Sequence, residues 1–135
     1  MILVSYGTRP EWIKVKTIIQ KLRDTGQPVL VLFTGQQKDI GEFEYDVNIN
    51  IKDYHNNRLN NIITTIMNSG VFHNISHVIV QGDTASSFAV ALSAFNLKIP
   101  ISHIEAGLRT YDTENPYPEE SYRQMISCMA DYHFV

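Results

Sequence analysis

Short apolar runs alternate with amphipathic segments along the whole chain. Six runs have the length and composition of strands, at residues 2–5, 29–34, 47–51, 77–81, 101–105 and 132–135. Four intervening segments carry helical patterns, at residues 10–24, 58–68, 86–96 and 119–130. The runs are apolar at consecutive positions, which is typical of strands covered on both faces in a parallel sheet. The sequence therefore predicts an α/β fold, a three-layer domain with a parallel sheet of about six strands.

Length and composition exclude several kinds of protein. Residues 1–135 are most naturally one domain, and 44% of them are hydrophobic. The net charge of −3 and the scattered basic residues argue against a nucleic-acid partner. A single cysteine excludes an internal disulfide and fits a reducing compartment. No apolar run approaches the ~20 residues that span a bilayer, and the chain begins on a strand pattern, so we expect a cytoplasmic protein with no membrane partner.

The first polar motif, GTRPEWIK at residues 7–14, follows the first strand. Thr8 and Glu11 have the spacing of a capping box, with Pro10 in the first helical turn. Capping does not account for Arg9 and Lys14, which add positive charge near free N–H donors at the helix N-terminus. Such a place suits a phosphate or another anion. The motif therefore predicts a helix start, and it leaves open whether an anionic ligand binds there.

The second motif, QGDTASS at residues 81–87, joins the fourth strand to a helix. Gly82 allows a tight turn. Asp83 is a candidate N-cap of that helix. Thr84 or Ser86 can cap equally well, and Asp83 is then free for another role.

The third motif, HIEAGLRTYDTENPYPEE at residues 103–120, begins inside the fifth strand. Glu105 ends that strand without starting a helix directly, so a purely structural role explains it poorly. Glu119 and Glu120 fall in the first turn of the last helix, where acids offset the helix dipole. Glu119 also has the spacing of an ion pair with Arg123. His103 alternates with inward positions, and we interpret it as a strand histidine and not a catalytic one.

These motifs lie after strands one, four and five. The carboxyl ends of parallel strands share one edge of a sheet, and open α/β sheets bind ligands there. We expect three carboxylates, Asp83, Glu105 and Glu119, to converge on one crevice with two cations, Arg9 and Lys14. Such a mixture of charges allows acids in different protonation states at neutral pH, which suits proton transfer beside an anionic group.

Five motifs, GTRPEWIK, TGQQ, QGDT, HIEAGLRT and PYPEESYR, occur in an order and spacing that resembles the non-hydrolysing UDP-N-acetylglucosamine 2-epimerases. The resemblance covers the whole chain. It implies two Rossmann-like domains, as in GT-B glycosyltransferases, with the active site in the cleft between them. Residues 1–135 would be the N-terminal domain, and the C-terminal UDP-binding domain would be absent from this chain. That domain would come in cis or from a partner chain, and a homodimer is possible.

The resemblance implies interconversion of UDP-GlcNAc and UDP-ManNAc in the cytoplasm, commonly for cell-surface polysaccharide synthesis. The proton at C2 is removed, UDP leaves by anti elimination to give 2-acetamidoglucal, and UDP adds back. Carried over by motif, the catalytic acids are Asp83, Glu105 and Glu119. The substrate-binding residues are Arg9, Lys14, Asp83, Glu105 and Arg123. The order of acid and base stays open, and the reaction calls for no metal or cofactor because no hydride moves.

Some positions depart from the family pattern. Gln37 and Gln81 stand where histidine is common, and Trp12 replaces a small residue and is expected near the cleft. We expect the chain alone to be inactive. Three alternatives remain: a hydrolysing UDP-GlcNAc 2-epimerase, the acceptor domain of a GT-B glycosyltransferase, and a non-catalytic nucleotide-sugar-binding or assembly module.

Overall fold

A computed structural model describes residues 1–51, 58–114 and 117–135. The strands are β1 (Ile2–Tyr6), β2 (Val29–Phe33), β3 (Val47–Asn48), β4 (His77–Gln81), β5 (Ile101–Ile104) and β6 (Tyr132–Phe134). The helices are α1 (Arg9–Asp24), α2 (Arg58–Ser69), α3 (Ala85–Asn96) and α4 (Glu119–Met129). Each predicted strand and helix is confirmed. Pro116, the first residue of PYPEESYR, lies outside the described residues.

The third strand is shorter than the five residues predicted. It ends at Asn48, whose side-chain oxygen accepts a hydrogen bond from the Asn50 N–H at 2.8 Å. Asn50 adopts a left-handed backbone, with φ of 49°. This Asx turn competes with the strand ladder and ends it early.

The sheet is parallel throughout, in the order β3-β2-β1-β4-β5-β6. β1 pairs with β2 on one side and with β4 on the other, so the strand order reverses between β1 and β4. Open α/β sheets place their ligand crevice at such a switch point. The loops after β1, β4 and β5 therefore meet at one place on the sheet edge.

Two apolar layers cover the two faces of the sheet. On one face, Val15 and Ile19 of α1 pack with Val4 and Val31. Helices α2, α3 and α4 bury the other face, where Leu3 belongs to the second cluster. Neighbouring strand residues such as Leu3 and Val4 enter opposite layers because successive side chains alternate across a strand. Each such fully buried side chain contributes about 1.5–3 kcal/mol.

The starts of α1 and α3 show which residues cap these two helices. In the confirmed capping box of α1, the Thr8 N–H donates to the Glu11 carboxylate at 2.8 Å. At α3 the N-cap is Thr84, whose hydroxyl oxygen accepts the Ser87 N–H at 3.0 Å. The candidate N-cap role of Asp83 is therefore wrong, and its side chain is free of that task. In the part of the chain that the structure describes, no helix has the length and apolar character to cross a membrane.

Candidate active site

A cleft of about 480 Å³ opens at the carboxyl ends of β1, β4 and β5. Asp83, Glu105 and Glu119 all line it, together with Lys14. The predicted convergence of the three acids is therefore present. A larger adjoining hollow shares Asp83 and Glu119 with this cleft.

Glu105 takes an unusual backbone conformation to reach the cleft. Its φ is +66°, in the left-handed region that side chains other than glycine seldom adopt. Lys14 donates to one of its carboxylate oxygens, and the Gln81 amide donates to the other at 2.7 Å. A left-handed non-glycine residue costs about 1–3 kcal/mol, and such strain is concentrated at functional sites. Lys98 and Tyr111 share this backbone conformation but do not line the cleft, so at Glu105 it is the position of the carboxylate in the cleft that points to chemistry.

Asp83 is paired with a buried guanidinium. Arg123 of α4 donates through Nη2 to Asp83 and through Nη1 to Glu120. The predicted ion pair between Glu119 and Arg123 is therefore wrong. In the first turn of α4 it is Glu120 that points inward to Arg123, while Glu119 faces the cleft. Arg123 thus acts on the site through Asp83.

Glu120 connects this pair to the loop after β5. Its carboxylate accepts the backbone N–H groups of Thr110 at 3.1 Å and Tyr111 at 3.3 Å. Burial raises the pKa of Glu120, but hydrogen bonds from Gln124, Tyr111 and Thr110 and the charge of Arg123 outweigh it and hold the pKa below its ordinary value. Glu120 therefore stays ionised and keeps this loop attached to α4.

Glu119 differs from the other two acids. Its Oε2 atom is buried and has no hydrogen-bond partner among the described residues. Buried polar atoms are almost always paired, so an unpaired one needs an explanation. Glu119 lines both hollows, so this unpaired oxygen belongs to a side chain at the cleft.

Arg9 lies where the sequence did not lead us to expect it. Its guanidinium donates to the Ile40 carbonyl at 2.8 Å and lines a hollow on the outer side of α1. The expectation that Arg9 and Lys14 share one crevice is therefore wrong in this structure, because only Lys14 lines the cleft. Trp12 lines the same outer hollow and packs against Tyr6, with ring centroids 5.0 Å apart, so it does not crowd the cleft.

Two glutamines occupy helix N-termini at the cleft, a role that sequence reasoning missed. The Gln37 side-chain oxygen accepts the N–H of Arg9, the first residue of α1, at 2.8 Å. The Gln36 side-chain oxygen accepts the Ser86 N–H, in the first turn of α3, at 3.0 Å. Both amide oxygens take the place that an anion would take at these helix ends. The only signal was the position of TGQQ directly after β2, at the same sheet edge.

Glu11 joins α1 to α3. Its carboxylate is buried and accepts the Gly7 and Thr8 N–H groups on one oxygen, and hydroxyl groups of Thr84 and Ser87 on the other, at 2.8–3.0 Å. Burial raises the pKa of Glu11, and the hydrogen bonds from Thr8, Ser87, Gly7 and Thr84 act in the opposite direction. The capping spacing predicted the bonds within α1, but the contact with α3 could not be seen from sequence.

His103 is completely buried in the sheet, so its interpretation as a strand histidine is confirmed. Its two ring nitrogens bind the Gly82 carbonyl at 2.8 Å and the Ser127 hydroxyl at 3.2 Å. In the described ranges, no group of three or more His, Cys, Asp or Glu residues is arranged to hold a metal ion.

A parallel sheet covered by helices on both faces, with three acids and a lysine gathered in a cleft at its carboxyl edge, defines a Rossmann-like α/β domain. The family model described as UDP-N-acetylglucosamine 2-epimerase matches residues 17–135. The chain belongs to the UDP-N-acetylglucosamine 2-epimerase family.

Relatives agree with this assignment. The UDP-N-acetylglucosamine 2-epimerase of Neisseria meningitidis is 37% identical over an alignment 146 residues long. The alignment covers 99% of this chain and 39% of the relative. That of Campylobacter jejuni is also 37% identical, over 99% of this chain and 38% of the relative. The chain thus spans about two fifths of the length of the curated relatives it matches.

Solved structures have the same fold. A crystal structure of UDP-GlcNAc 2-epimerase from Neisseria meningitidis bound to UDP-GlcNAc superposes with a TM-score of 0.87 at 35% identity, over 99% of this chain and 40% of that one. The Methanocaldococcus jannaschii enzyme in complex with UDP-GlcNAc and UDP gives a TM-score of 0.87 at 30% identity, over 97% of this chain and 39% of that one. The expected α/β domain is therefore confirmed.

Proposed function

We propose that this chain is the first domain of a non-hydrolysing enzyme that interconverts UDP-GlcNAc and UDP-ManNAc. The observation that carries the proposal is the convergence of Asp83, Glu105 and Glu119 on one cleft at the switch point of the sheet. Two relatives of known structure hold UDP-GlcNAc, and this chain is similar to both over nearly its whole length. A UDP-sugar is therefore the substrate that we propose.

The reaction is an elimination followed by an addition. A carboxylate takes the proton from C2, the C2–H electron pair becomes the C1–C2 double bond, and the C1–O bond breaks with its electrons leaving on UDP. The resulting 2-acetamidoglucal is protonated at C2 from its other face, and UDP adds back to C1. These steps need an acid and a base at C2 and positive charge beside the departing diphosphate.

The three acids are unequal in ways that suggest their roles. Glu105 is bound to Lys14, and Asp83 is bound to Arg123, so each already balances a cation. Glu119 has a buried oxygen with no hydrogen-bond partner among the described residues, and Glu119 is not paired with a cation there, so we propose it as the acid most free to take a proton. We assign Glu119 to proton removal in one direction, with Glu105 or Asp83 acting on the opposite face. Lys14 is the cation nearest to a departing diphosphate in the cleft.

Arg9 and Arg123 take different parts in this proposal. Arg123 orients Asp83 from the protein side of the cleft. Arg9 is held at the Ile40 carbonyl, so contact with a nucleotide-sugar requires its side chain to rotate. The Gln37 amide oxygen would also have to leave the start of α1 if a phosphate group bound there.

The cleft has one wall in this chain. The relatives are about two and a half times as long, and we propose that a second domain, in cis or from a partner chain, closes the cleft and binds UDP. Residues 1–135 alone are then expected to release no product. A homodimer and a cytoplasmic location remain predictions.

Hydrogen exchange tests the proposal. Full-length protein incubated with UDP-GlcNAc in heavy water should place deuterium at C2, read by mass spectrometry, and Glu119→Gln, Glu105→Gln and Asp83→Asn should each strongly reduce it. Glu44→Gln is the matched control, because Glu44 is an exposed carboxylate paired with Arg23 away from the cleft. Exchange that survives all three cleft substitutions unchanged would overturn the site.

The same experiment separates the alternatives. Release of free N-acetylmannosamine with UDP would identify a hydrolysing enzyme. Binding of UDP-GlcNAc without exchange at C2 would identify a nucleotide-sugar-binding module. Transfer of the sugar to an acceptor would identify a glycosyltransferase.

A further inference from the structure

We infer that His103 is a positioning residue, which fixes the backbone turn that carries Asp83 and so directs the Asp83 carboxylate into the cleft. The inference rests on the proposed function, since it assigns a role toward one of the proposed catalytic acids. His103 itself is completely buried and does not line the cleft.

The turn between β4 and α3 is attached to β5 at both polar groups of Gly82. The Gly82 carbonyl lies 2.8 Å from His103 Nε2, and the Gly82 N–H donates to the Ile104 carbonyl at 2.9 Å. Because a carbonyl only accepts, Nε2 must carry the imidazole proton. Gly82 has φ of +73°, a conformation that other residues seldom adopt, and Asp83 follows it directly. A shift of the Gly82 peptide would therefore move Asp83.

The second nitrogen of His103 extends the connection to α4 and the loop after β5. With the proton on Nε2, Nδ1 accepts from the Ser127 hydroxyl, 3.2 Å away. Ser127 in turn lies 3.4 Å from Nη2 of Arg109, whose Nη1 binds the Ala106 carbonyl at 2.6 Å. Hydrogen bonds thus run from the loop after Glu105 through α4 and His103 to the turn before Asp83.

The imidazole stays neutral in this arrangement. Burial lowers the pKa of His103, the hydrogen bond to Gly82 raises it, and the charges of His133, Arg109 and Arg123 lower it further. A neutral ring keeps Nδ1 available as an acceptor, which agrees with the geometry at Ser127.

An apolar side chain in place of His103 could fill the same space, but it could not donate a hydrogen bond to the Gly82 carbonyl. It would leave the Gly82 carbonyl without its side-chain donor in the protein interior, which favours movement of the turn toward another partner. The residue on the other side of Asp83 is also held, because the Thr84 hydroxyl donates to Glu11 at 2.9 Å. Asp83 is therefore fixed at the preceding residue, at the following residue and at its own carboxylate by Arg123.

Two substitutions in the full-length enzyme separate positioning from packing. His103→Met keeps the volume and removes the donor, whereas in His103→Gln the side-chain amide can donate from about the place of Nε2. We expect His103→Met to lower kcat on UDP-GlcNAc by on the order of 100-fold per folded molecule, since a displacement of about 1 Å costs that much. KM should change far less, and His103→Gln should recover most of the loss.

His77 provides the matched control. It is also a strand histidine, with Nε2 2.7 Å from the Ser102 hydroxyl, but it lies at the amino end of β4, away from the cleft. His77→Met should leave kcat unchanged. A His103→Met enzyme with wild-type kcat, or an equal loss in His77→Met, would overturn the inference while the proposed function stands. A wild-type enzyme without C2 exchange would instead overturn the proposed function.

A second measurement does not depend on activity or on the folding of a variant. Nitrogen-15 NMR of the wild-type imidazoles should show His103 as the neutral tautomer protonated at Nε2, with a slowly exchanging proton. A proton on Nδ1, or a ring that titrates like a free histidine, would contradict the geometry on which the inference depends.

Discussion

The two ends of the parallel sheet are held together by different kinds of contact. At the amino end, backbone bonds such as Ile2 N–H to the Pro28 carbonyl and Val78 N–H to the Pro100 carbonyl close the strands. At the carboxyl end, charged and polar side chains are buried and each is bound to groups of neighbouring elements: Glu11 to Ser87, Arg123 to Asp83 and His103 to the Gly82 carbonyl. Burying polar groups is unfavourable unless each finds a partner. Side chains also bond at the amino end, where the Asp131 carboxylate accepts the Ile101 N–H, but Asp131 is exposed, so the burial of charged side chains is what distinguishes the carboxyl end.

The largest expected effect separates activity from stability at the carboxyl end. Glu105→Gln should lower kcat by about 10²–10⁴-fold, the usual contribution of an acid or base catalyst. Its ion pair with Lys14 is partly exposed, so the free energy of unfolding should change by under about 1 kcal/mol. Epimerisation rates and urea unfolding on the same samples measure both. A large loss of stability with little loss of rate would make Glu105 a structural residue.

The next largest effect, on the free energy of unfolding, concerns the close approach of the loops after β1 and β2 to the start of α3 at the carboxyl end of the sheet. An added Cβ at Gly7 would lie 2.2 Å from the Ser86 hydroxyl and 2.4 Å from the Thr34 hydroxyl. Gly7→Ala should therefore cost about 1–3 kcal/mol of unfolding free energy, as overpacking does. Gly70→Ala is the control, because Gly70 has φ of +69° and nothing within 4 Å. Gly70→Ala thus reports backbone strain alone, which Gly7 lacks, so a Gly7→Ala cost near zero would show that the Ser86 and Thr34 side chains move aside.

A smaller effect tests the amino end. The Asp131 carboxylate accepts the Ile101 N–H at 2.9 Å at the start of β5. Asp131→Ala should lower the free energy of unfolding by about 1 kcal/mol, the usual net value of such a bond. The rate of epimerisation should not change. A fall in rate would show that the two ends of the sheet are coupled.

The smallest effect is a difference in pH dependence between two buried carboxylates. The raised pKa of Glu11 means that its contribution to stability is complete below about pH 4.3, the unfolded value, and declines as pH rises through the folded value. The lowered pKa of Glu120 has the opposite consequence, since its contribution is present above that pH and is lost as pH falls through the folded value. Urea unfolding of Glu11→Gln and Glu120→Gln from low to neutral pH should give opposite trends relative to wild type. Parallel trends would contradict the assigned protonation states.

The sequence predicted the fold well because its apolar runs are continuous. Strand β3 was overestimated because the Asn48 side chain, and not hydrophobicity, ends it. At the site, the meeting of the three acids could be predicted because the carboxyl ends of parallel strands share one edge of the sheet. That prediction did not depend on the conformation of any side chain. The partner of Arg123 was wrong because Glu119 and Glu120 are both within reach along a helix, and only the packing of α4 decides between them. The Arg9 side chain lies outside the cleft because its guanidinium donates to the Ile40 carbonyl. No sequence pattern predicts the position of that carbonyl.

The backbone at Glu105 has a consequence for anyone who selects this protein for heat resistance. Glycine at position 105 would adopt φ of +66° without strain, so Glu105→Gly is expected to leave the domain at least as stable. A screen that scored only survival after heating would favour that exchange and would remove one of the acids of the cleft. Thermal selection therefore has to be paired with a test of epimerisation in the full-length protein, because a substitution that relieves backbone strain at position 105 also removes a proposed catalytic acid.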